Sequence, residues 1–264
     1  MNNAIDLSNR NVLVTGGGKG IGAGICRSMA QCGANVLVNH PDDPGQADAL
    51  VASLRKEYGV SAFSFQADIA DPAGVGAMFE YMDRTVGAID ILVNNAGTES
   101  VDHAVELDLA EWDRVFNINL RGSFICAQHA ARRMIGKKKG VIINISSIHD
   151  RVARKGLIHY CCSKAGLNMM TKCLALELGE YNIRVLAVAP GAIETDMNRQ
   201  EINDFGREKF NHWIPLGKVG QVEEVAWACA FLASDKASYM TGTEIYIDGA
   251  YKESTVPYDS RTKK

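Results

Sequence analysis

Proline is scarce in this chain, with 6 residues among 264, and no cysteine pair has the C-x-x-C spacing. No apolar run reaches the roughly 20 residues that span a bilayer. The formal net charge of −3 shows no excess of positive charge of the kind that nucleic-acid-binding proteins carry. We therefore expect neither a membrane nor a nucleic acid as partner. With 47% hydrophobic and 22% charged residues, the composition is that of a globular protein with a buried core.

Seven cysteines are present, an odd number without the spacing of a disulfide framework. The first ten residues are polar and show no secretory leader, so we expect reduced thiols in a cytoplasmic protein. Cys161 and Cys162 are adjacent in a predicted helix, where their side chains diverge. We expect them to pack and not to form a bridge, and we assign no metal site.

Short apolar runs alternate with longer amphipathic segments along the whole chain. The predicted strands are Asn11–Thr15, Asn35–Asn39, Ala62–Gln66, Ile89–Asn94, Gly140–Ser146, Asn182–Ala189 and Glu244–Asp248. The predicted helices are Gly20–Gly33, Gln46–Tyr58, Ala73–Gly87, Leu109–Ile135, Leu157–Glu180 and Val222–Ser234. This alternation predicts an α/β fold of the Rossmann type, a doubly wound parallel sheet of about seven strands with helices on both faces. We expect one domain over residues 1–264, in which segment 191–220 forms a substrate lid with a short helix.

The densest glycine cluster follows the first predicted strand directly and reads Thr15-Gly16-Gly17-Gly18-Lys19-Gly20-Ile21-Gly22. A strand, a glycine turn and a helix start together form a site for a dinucleotide pyrophosphate. A glycine-rich turn without a ligand is the alternative. A P-loop is excluded, because Ile21 follows Gly20 where Lys would be required.

The end of the second predicted strand bears on the choice between NAD and NADP. An NAD site places a carboxylate there to bind the ribose, but this chain has His40, followed by Pro41. Lys19 and His40 could instead pair with the 2′-phosphate, which favours NADP. Asp42 or Asp43 could still reach a ribose hydroxyl, so NAD stays open.

Tyr160 and Lys164 stand four residues apart in a predicted helix and therefore share one face of it. An ammonium beside a phenol lowers the pKa of the tyrosine and makes it usable as an acid or base. The pair alone often arises by chance, and its other interpretation is purely structural.

Several motifs occur together in a fixed order over residues 7–249. They are Thr15-Gly16 with Gly20-Ile21-Gly22, Asn94-Asn95-Ala96-Gly97, Asn119, Ser146-Ser147, Tyr160 with Lys164, and Pro190-Gly191 with Thr195. With this set the chain resembles the short-chain dehydrogenase/reductase family. Ser147 stands 13 residues before Tyr160, the interval found in the family, so the resemblance selects Ser147 over Ser146 as the catalytic serine.

The resemblance implies a catalytic set of Asn119, Ser147, Tyr160 and Lys164. Tyr160 would transfer the proton while the nicotinamide exchanges a hydride, and Ser147 would hydrogen-bond the reacting oxygen. Lys164 would hold the ribose, and Asn119 would anchor a water. Together with Lys19 and His40, the implied cofactor contacts are Gly16, Gly18, Gly20, Ile21, Gly22, Asp68, Ile69, Asn95, Ala96, Gly97, Tyr160, Lys164, Pro190, Gly191, Ile193 and Thr195.

Within the family the chain most resembles glucose 1-dehydrogenases, for example in residues 94–99, 146–150 and 237–242. This implies a small alcohol or carbonyl substrate of the sugar or polyol class. Its contacts would be Glu99, Ser147, His149 and Asn198. The chain departs from that pattern in its tail, residues 251–264, and at 150–156, where Arg151, Arg154 and Lys155 favour an acidic substrate such as a bile acid, a sugar acid or an acyl carrier.

Three alternatives remain beside the sugar dehydrogenase. Two are enzymes, a hydroxysteroid dehydrogenase and a 3-oxoacyl-(acyl-carrier-protein) reductase. The third is a non-catalytic dinucleotide-binding regulator, which the complete set of Asn119, Ser147, Tyr160 and Lys164 disfavours. The resemblance also implies a homotetramer, in which the long helices Leu109–Ile135 and Leu157–Glu180 pair across an interface.

Overall fold

A computed structural model describes residues 5–42, 44–195 and 199–254. Its strands form one parallel sheet in the order β3-β2-β1-β4-β5-β6-β7. They are β1 (Asn11–Val14), β2 (Asn35–His40), β3 (Ala62–Gln66), β4 (Ile91–Asn94), β5 (Gly140–Ile145), β6 (Ile183–Pro190) and β7 (Glu244–Ile247). The α/β prediction of a doubly wound sheet is confirmed.

The helices lie on both faces of this sheet. They are α1 (Gly20–Gln31), α2 (Gly45–Tyr58), α3 (Pro72–Thr85), α4 (Leu109–Phe116), α5 (Ser123–Lys137), α6 (Ile158–Leu178), α7 (Arg199–Phe205), α8 (Arg207–His212) and α9 (Val222–Ala233). The bounds of the strands and of α1, α2, α3, α6 and α9 differ from the predicted ends by at most two residues.

The inner strands β1, β2, β4, β5 and β6 are buried on both sides, which is why their sequences are nearly continuous apolar runs. Along β1, Val12 and Val14 pack against one helical layer that includes α1 and α9. Leu13, between them, packs against the opposite layer with Phe79 of α3 and Met134 of α5. The sheet is therefore the middle of a three-layer domain.

The order of the strands reverses direction between β1 and β4, which are neighbours in the sheet. Such a reversal leaves a crevice beyond the carboxyl ends of the two strands, and ligands of open α/β sheets bind there.

Three local predictions need correction. The helix predicted over Leu109–Ile135 is interrupted by a π-helical segment, Asn117–Gly122. Segment 191–220 holds two short helices where we expected one, separated by Gly206 with a φ of 84°. Cys162 is exposed, so the prediction that it packs is wrong, while Cys161 is partly buried.

All seven cysteines are free thiols. Among the residues that the structure describes, no helix is both long enough and apolar enough to cross a membrane.

Candidate active site

A cleft of about 400 Å³ opens at the carboxyl ends of the central strands, within the range of small-molecule sites. It lies where the reversed strand order leaves room. The cleft brings together twelve of the predicted residues: Ile21, Asn95, Gly97, Glu99, Ser147, His149, Tyr160, Lys164, Pro190, Gly191, Ile193 and Thr195. Residues separated by up to 174 positions in sequence thus meet in one place.

Tyr160 and Lys164 lie on one face of α6, one helical turn apart, as the spacing predicts. The Lys164 side chain is buried, and its Nζ donates a 2.9 Å hydrogen bond to the carbonyl of Ile145 at the end of β5. Burial lowers the pKa of Lys164 to about 8, and the carboxylate of Glu99 opposes that shift. The amine therefore changes charge near neutral pH.

The pKa of Tyr160 departs in the direction opposite to the one we expected. Burial of the phenol raises the pKa, and the nearby carboxylate of Glu99 adds to the rise. A hydrogen bond with the Ser147 side chain opposes it. Because the phenol stays protonated near neutral pH, the side chain is a proton donor in the ligand-free site.

Ser147 follows β5 and caps a short 3-10 turn, Ile148–Asp150. Its Oγ accepts a hydrogen bond from the His149 backbone N–H at 3.2 Å. The residue is thus a strand-end cap as well as a partner of Tyr160. The cap fixes the position of the hydroxyl relative to the phenol.

Asn119 is fully buried in the π-helical segment, and π-bulges occur frequently at functional sites. Its side chain makes two hydrogen bonds to the backbone of Thr98. Oδ1 accepts from the Thr98 N–H at 2.8 Å, and Nδ2 donates to the Thr98 carbonyl at 2.9 Å. A Cβ on Gly97 would lie 3.4 Å from both Asn119 Oδ1 and Lys164 Nζ. The two catalytic candidates therefore converge on Gly97.

The glycine turn fits a phosphate cradle. Gly16 has a φ of 59°, and a Cβ there would lie 2.9 Å from the Cα of Ala96. Asn95 Nδ2 donates to the carbonyls of Thr15 and Gly16, both at 3.0 Å, which holds the turn against β4. Helix α1 starts behind the turn with neither a side-chain cap nor an acidic residue in its first turn. The backbone N–H groups at the start of α1 are therefore suited to bind an anion such as a pyrophosphate.

The two predicted contacts of the 2′-phosphate, Lys19 and His40, differ in their exposure to solvent. Lys19 is exposed as the residue before α1. His40 is only 6% exposed, and its Nδ1 bonds the Asp42 carbonyl at 2.7 Å. Lys19 is therefore the more accessible side chain of the two.

The remaining predicted cofactor residues lie outside the cleft, at the carboxyl ends of β1 to β4: Gly16, Gly18, Lys19, Gly20, Gly22, His40, Asp68, Ile69 and Ala96. Asp68 is exposed and accepts from the Ala70 N–H at 2.9 Å, whereas Ile69 is 3% exposed within the core. The methyl of Thr195 would lie 3.7 Å from a Cβ on Gly20, which places Thr195 next to the glycine turn.

Two of the predicted substrate contacts line the cleft together with Ser147 and Tyr160. His149 bonds the Val152 carbonyl through Nδ1 at 2.8 Å. A carbonyl only accepts, so Nδ1 carries the proton and a neutral His149 offers Nε2 as an acceptor. The exposed Glu99 is the second contact. Asn198 lies outside the described residues.

The loop that carries Glu99 is fixed from both sides. Asn119 holds Thr98, as described above, and Ser100 Oγ lies 2.8 Å from Nε2 of the buried His159. Because His159 is adjacent to Tyr160, the same helix that supplies the phenol also sets the position of this loop.

The basic stretch named from the sequence contributes one residue to the cleft, whereas Phe210 and Trp213 were missed. Arg154 alone of the predicted basic stretch lines the cleft, while Arg151 donates to the hydroxyl of Tyr246 at 3.1 Å. An aromatic wall also borders it, formed by Phe210, Trp213 and Tyr251, with Phe210 5.7 Å and 6.3 Å from the other two ring centroids. The departure of the tail from the family pattern was the signal for Tyr251.

Comparison with known proteins gives matches over nearly the whole chain. A family profile described as enoyl-(acyl carrier protein) reductase matches residues 16–252. The chain is 41% identical over 246 residues to 3β-hydroxysteroid dehydrogenase 1 of Eggerthella lenta, covering 92% of this chain and 94% of that protein. It is 38% identical over 248 residues to glucose 1-dehydrogenase 2 of Bacillus subtilis, covering 92% and 95%.

A solved structure matches the fold equally far. It is gluconate 5-dehydrogenase from Burkholderia cenocepacia in complex with NADP and tartrate, with a TM-score of 0.89 and 34% identity. The match covers 94% of this chain and 97% of that one.

Proposed function

Since the chain belongs to the short-chain dehydrogenase/reductase family, we propose that it interconverts an alcohol and a carbonyl of a sugar or polyol, in the manner of glucose 1-dehydrogenases. Membership makes it an NAD(P)-dependent oxidoreductase acting on CH–OH groups. The observation that carries the sugar proposal is the placement of Glu99 and His149 in the same cleft as Ser147 and Tyr160. A carboxylate and an imidazole acceptor are suited to sugar hydroxyls.

The proposed chemistry assigns one task to each side chain. Tyr160 gives its proton to a carbonyl oxygen or takes it from an alcohol, and Ser147 stabilises the charge that develops on the same oxygen. Lys164 binds the ribose, and its amine places a titratable charge 5.5 Å from the centre of the Tyr160 ring. The nicotinamide supplies or accepts the hydride when bound. Asn119 holds the loop at Thr98 and orders the surroundings of Lys164.

We propose NADP as the preferred cofactor. Lys19 is exposed beside the glycine turn, and β2 ends in His40 without a carboxylate. The first acidic residue past β2, Asp42, is exposed, so NAD remains the alternative. The complex of the Burkholderia relative with NADP supports this preference.

A second candidate is a hydroxysteroid dehydrogenase, favoured by the aromatic wall of Phe210, Trp213 and Tyr251. Flat apolar ring systems bury well against such surfaces. Arg154 lines the same cleft, so an acidic substrate such as a bile acid or a sugar acid is a further alternative. An acyl carrier is another acidic candidate, and it would make the protein a 3-oxoacyl-(acyl-carrier-protein) reductase.

A panel of substrates followed by the absorbance of the reduced nicotinamide separates these candidates. Glucose, other sugars, polyols, sugar acids, bile acids and acetoacetyl thioesters would each be tested with NAD and NADP. The proposal requires the highest kcat/KM on a sugar or polyol. A steroid or a thioester in first place would replace it with the corresponding alternative. If the protein binds dinucleotide and turns over nothing, the regulator is the better account.

We also propose a homotetramer in the cytoplasm. Apolar side chains are exposed on the outer helices, such as Met169 and Leu176 of α6, which are 58% and 85% exposed, and Trp227 of α9 at 41%. Apolar exposure of this kind is typical of contact surfaces. The seven free thiols support a reducing compartment. Sedimentation velocity tests the tetramer, and a monomer would contradict it.

A further inference from the structure

Two carboxyl groups meet next to the catalytic turn, outside the cleft. Asp150 ends the 3-10 turn that Ser147 caps, and its side chain is 1% exposed. Glu244 begins β7, the strand at the edge of the sheet. Both carboxyl groups contact the same two donors, Asn168 Nδ2 and the Tyr246 hydroxyl, which places them side by side. A carboxylate only accepts, so the two groups can bond each other directly only if one of them retains a proton.

The surrounding contacts tie three elements to this pair. Asn168 of α6 donates from Nδ2 to Asp150 Oδ2 at 2.5 Å and also to Glu244 Oε2. The hydroxyl of Tyr246 lies 2.8 Å from Glu244 Oε2 and 3.1 Å from Asp150 Oδ1. The catalytic turn, the catalytic helix and the last strand are therefore joined at one point.

Asn168 stands one helical turn beyond Lys164, which stands one turn beyond Tyr160. The three side chains form one stripe along α6. Asp150, in turn, is three residues beyond Ser147. The link between Asn168 and Asp150 thus sets the distance between the element that carries the phenol and the element that carries the serine hydroxyl.

A second observation points to the shared proton. Glu244 Oε1 is buried and accepts no hydrogen bond from any residue that the structure describes. Leaving a buried acceptor without a donor is costly. The neutral carboxyl group is less costly to bury than the carboxylate, so a proton on Glu244 reduces this cost.

We propose that Asp150 and Glu244 share one proton and act with Asn168 as positioning residues, which hold Ser147 against Tyr160 only while that proton is present. This rests on the proposed function, since Ser147 and Tyr160 are its catalytic pair. Loss of the proton places two adjacent negative charges in a half-buried site and loosens the turn.

The charged and titratable groups around the pair agree with a transition near neutral pH. Burial raises the pKa of Glu244 to about 7, and Asp150 adds to the rise. Arg151 lies 3.8 Å from Asp150 but is exposed, and Lys252 lies over the ring of Tyr246. Neither cation is buried with the carboxyl groups. The Ser146 and Tyr246 side chains lower the pKa of Glu244 without reversing its shift.

The test is Glu244→Gln, whose amide can donate to Asp150 at every pH. We measure the kcat of the variant divided by that of wild type, because the titration of Tyr160 and Lys164 is common to both. The ratio should rise several-fold between about pH 6 and about pH 8.5. The control is Glu253→Gln, which removes a carboxylate from the turn after β7; the Glu253 side chain is 70% exposed, and the kcat ratio of this variant should stay flat. A flat ratio for Glu244→Gln overturns the proposal.

Thermal unfolding of the ligand-free protein tests the proton without any turnover. A carboxyl group whose pKa is raised in the folded state stabilises the fold below that pKa and loses this contribution as pH rises through it. The Tm of wild type relative to Glu244→Gln should therefore fall from about pH 5 to about pH 8. A constant difference in Tm would show that no proton is shared. If the Tm difference changes as expected but no substrate is turned over, the proposed function fails and the shared proton stands.

Discussion

The ammonium of Lys164 lies 5.5 Å from the centre of the Tyr160 ring, held there by its bond to the Ile145 carbonyl. Neither group keeps its ordinary pKa, because both are buried: the pKa of the amine falls and that of the phenol rises. The two shifts bring both groups toward their neutral forms in the ligand-free enzyme. A ligand that separates Lys164 from Ile145, or that changes the charge near Glu99, would alter the pKa values of both Lys164 and Tyr160.

The burial of Lys164 predicts a stability effect with a definite sign. Its pKa is about 8 in the fold against 10.5 ordinarily, so the folded chain binds fewer protons than the unfolded chain between these values. The free energy of unfolding therefore rises with pH in that window. In Lys164→Met this contribution is absent. The Tm of wild type minus that of Lys164→Met should increase from about pH 8 to about pH 10 in the ligand-free protein, and a decrease would contradict the burial of a charged amine.

The glycine cradle predicts a steric effect at Gly22. A Cβ there would overlap the Gly16 carbonyl oxygen and lie 2.6 Å from Asn95 Nδ2. We expect Gly22→Ala to displace the turn and to weaken dinucleotide binding at least about tenfold, measured by fluorescence titration. Gly136→Ala is the control, because a Cβ at Gly136 in α5 meets no atom within 4 Å. It should leave affinity unchanged and stabilise the protein by a few tenths to about 1 kcal/mol. Equal affinity for both variants would remove the cradle from the account.

Lys19 predicts a difference between the two cofactors. If its ammonium pairs with the 2′-phosphate, Lys19→Ala should weaken NADP about tenfold and change NAD little, because a hydrogen bond to a charged group contributes about 1.5–3 kcal/mol. Lys236→Ala removes an exposed lysine from the turn after α9 and serves as the charge control. Equal losses of NAD and NADP in Lys19→Ala would show that the lysine does not meet the phosphate.

The position of His149 predicts that its removal weakens substrate binding and leaves cofactor binding nearly unchanged. Its Nε2 is the free acceptor of a ring anchored through Nδ1. His149→Ala should raise the KM for a sugar or polyol about tenfold and leave dinucleotide affinity within a few fold. His103→Ala, an exposed histidine outside the cleft, is the matched control. An unchanged KM in His149→Ala would argue for a substrate that is held by the aromatic wall, and then Trp213→Ala should carry the larger loss.

Much of this architecture is present in local sequence. Strands such as β1 are apolar runs because both of their faces are buried. The glycine turn is recognisable because the close approaches at Gly16 and Gly22 leave no room for a side chain. The π-helical segment that holds Asn119 was not predicted, because residues 117–122 include no proline that would signal an interruption of the helix.

The rest depends on contacts between residues distant in sequence. The sequence places Lys164 beside Tyr160 but does not show the burial that reverses the direction of the pKa shift. Likewise Arg154, Phe210 and Tyr251 line one cleft only in the folded chain, where Ile193 pairs with Gly220. In the sequence Asp150 is typical of a turn residue, and only the folded chain places Glu244 of β7 next to it.

The central claim is that this cleft is a catalytic site in which Tyr160 transfers the proton, and Tyr160→Phe tests it most directly. The substitution removes the hydroxyl and keeps the ring, so we expect dinucleotide affinity within a few fold of wild type. The kcat on the best substrate of the panel should fall by at least about a hundredfold. A Tyr160→Phe variant that turns over this substrate at the wild-type rate would contradict the account.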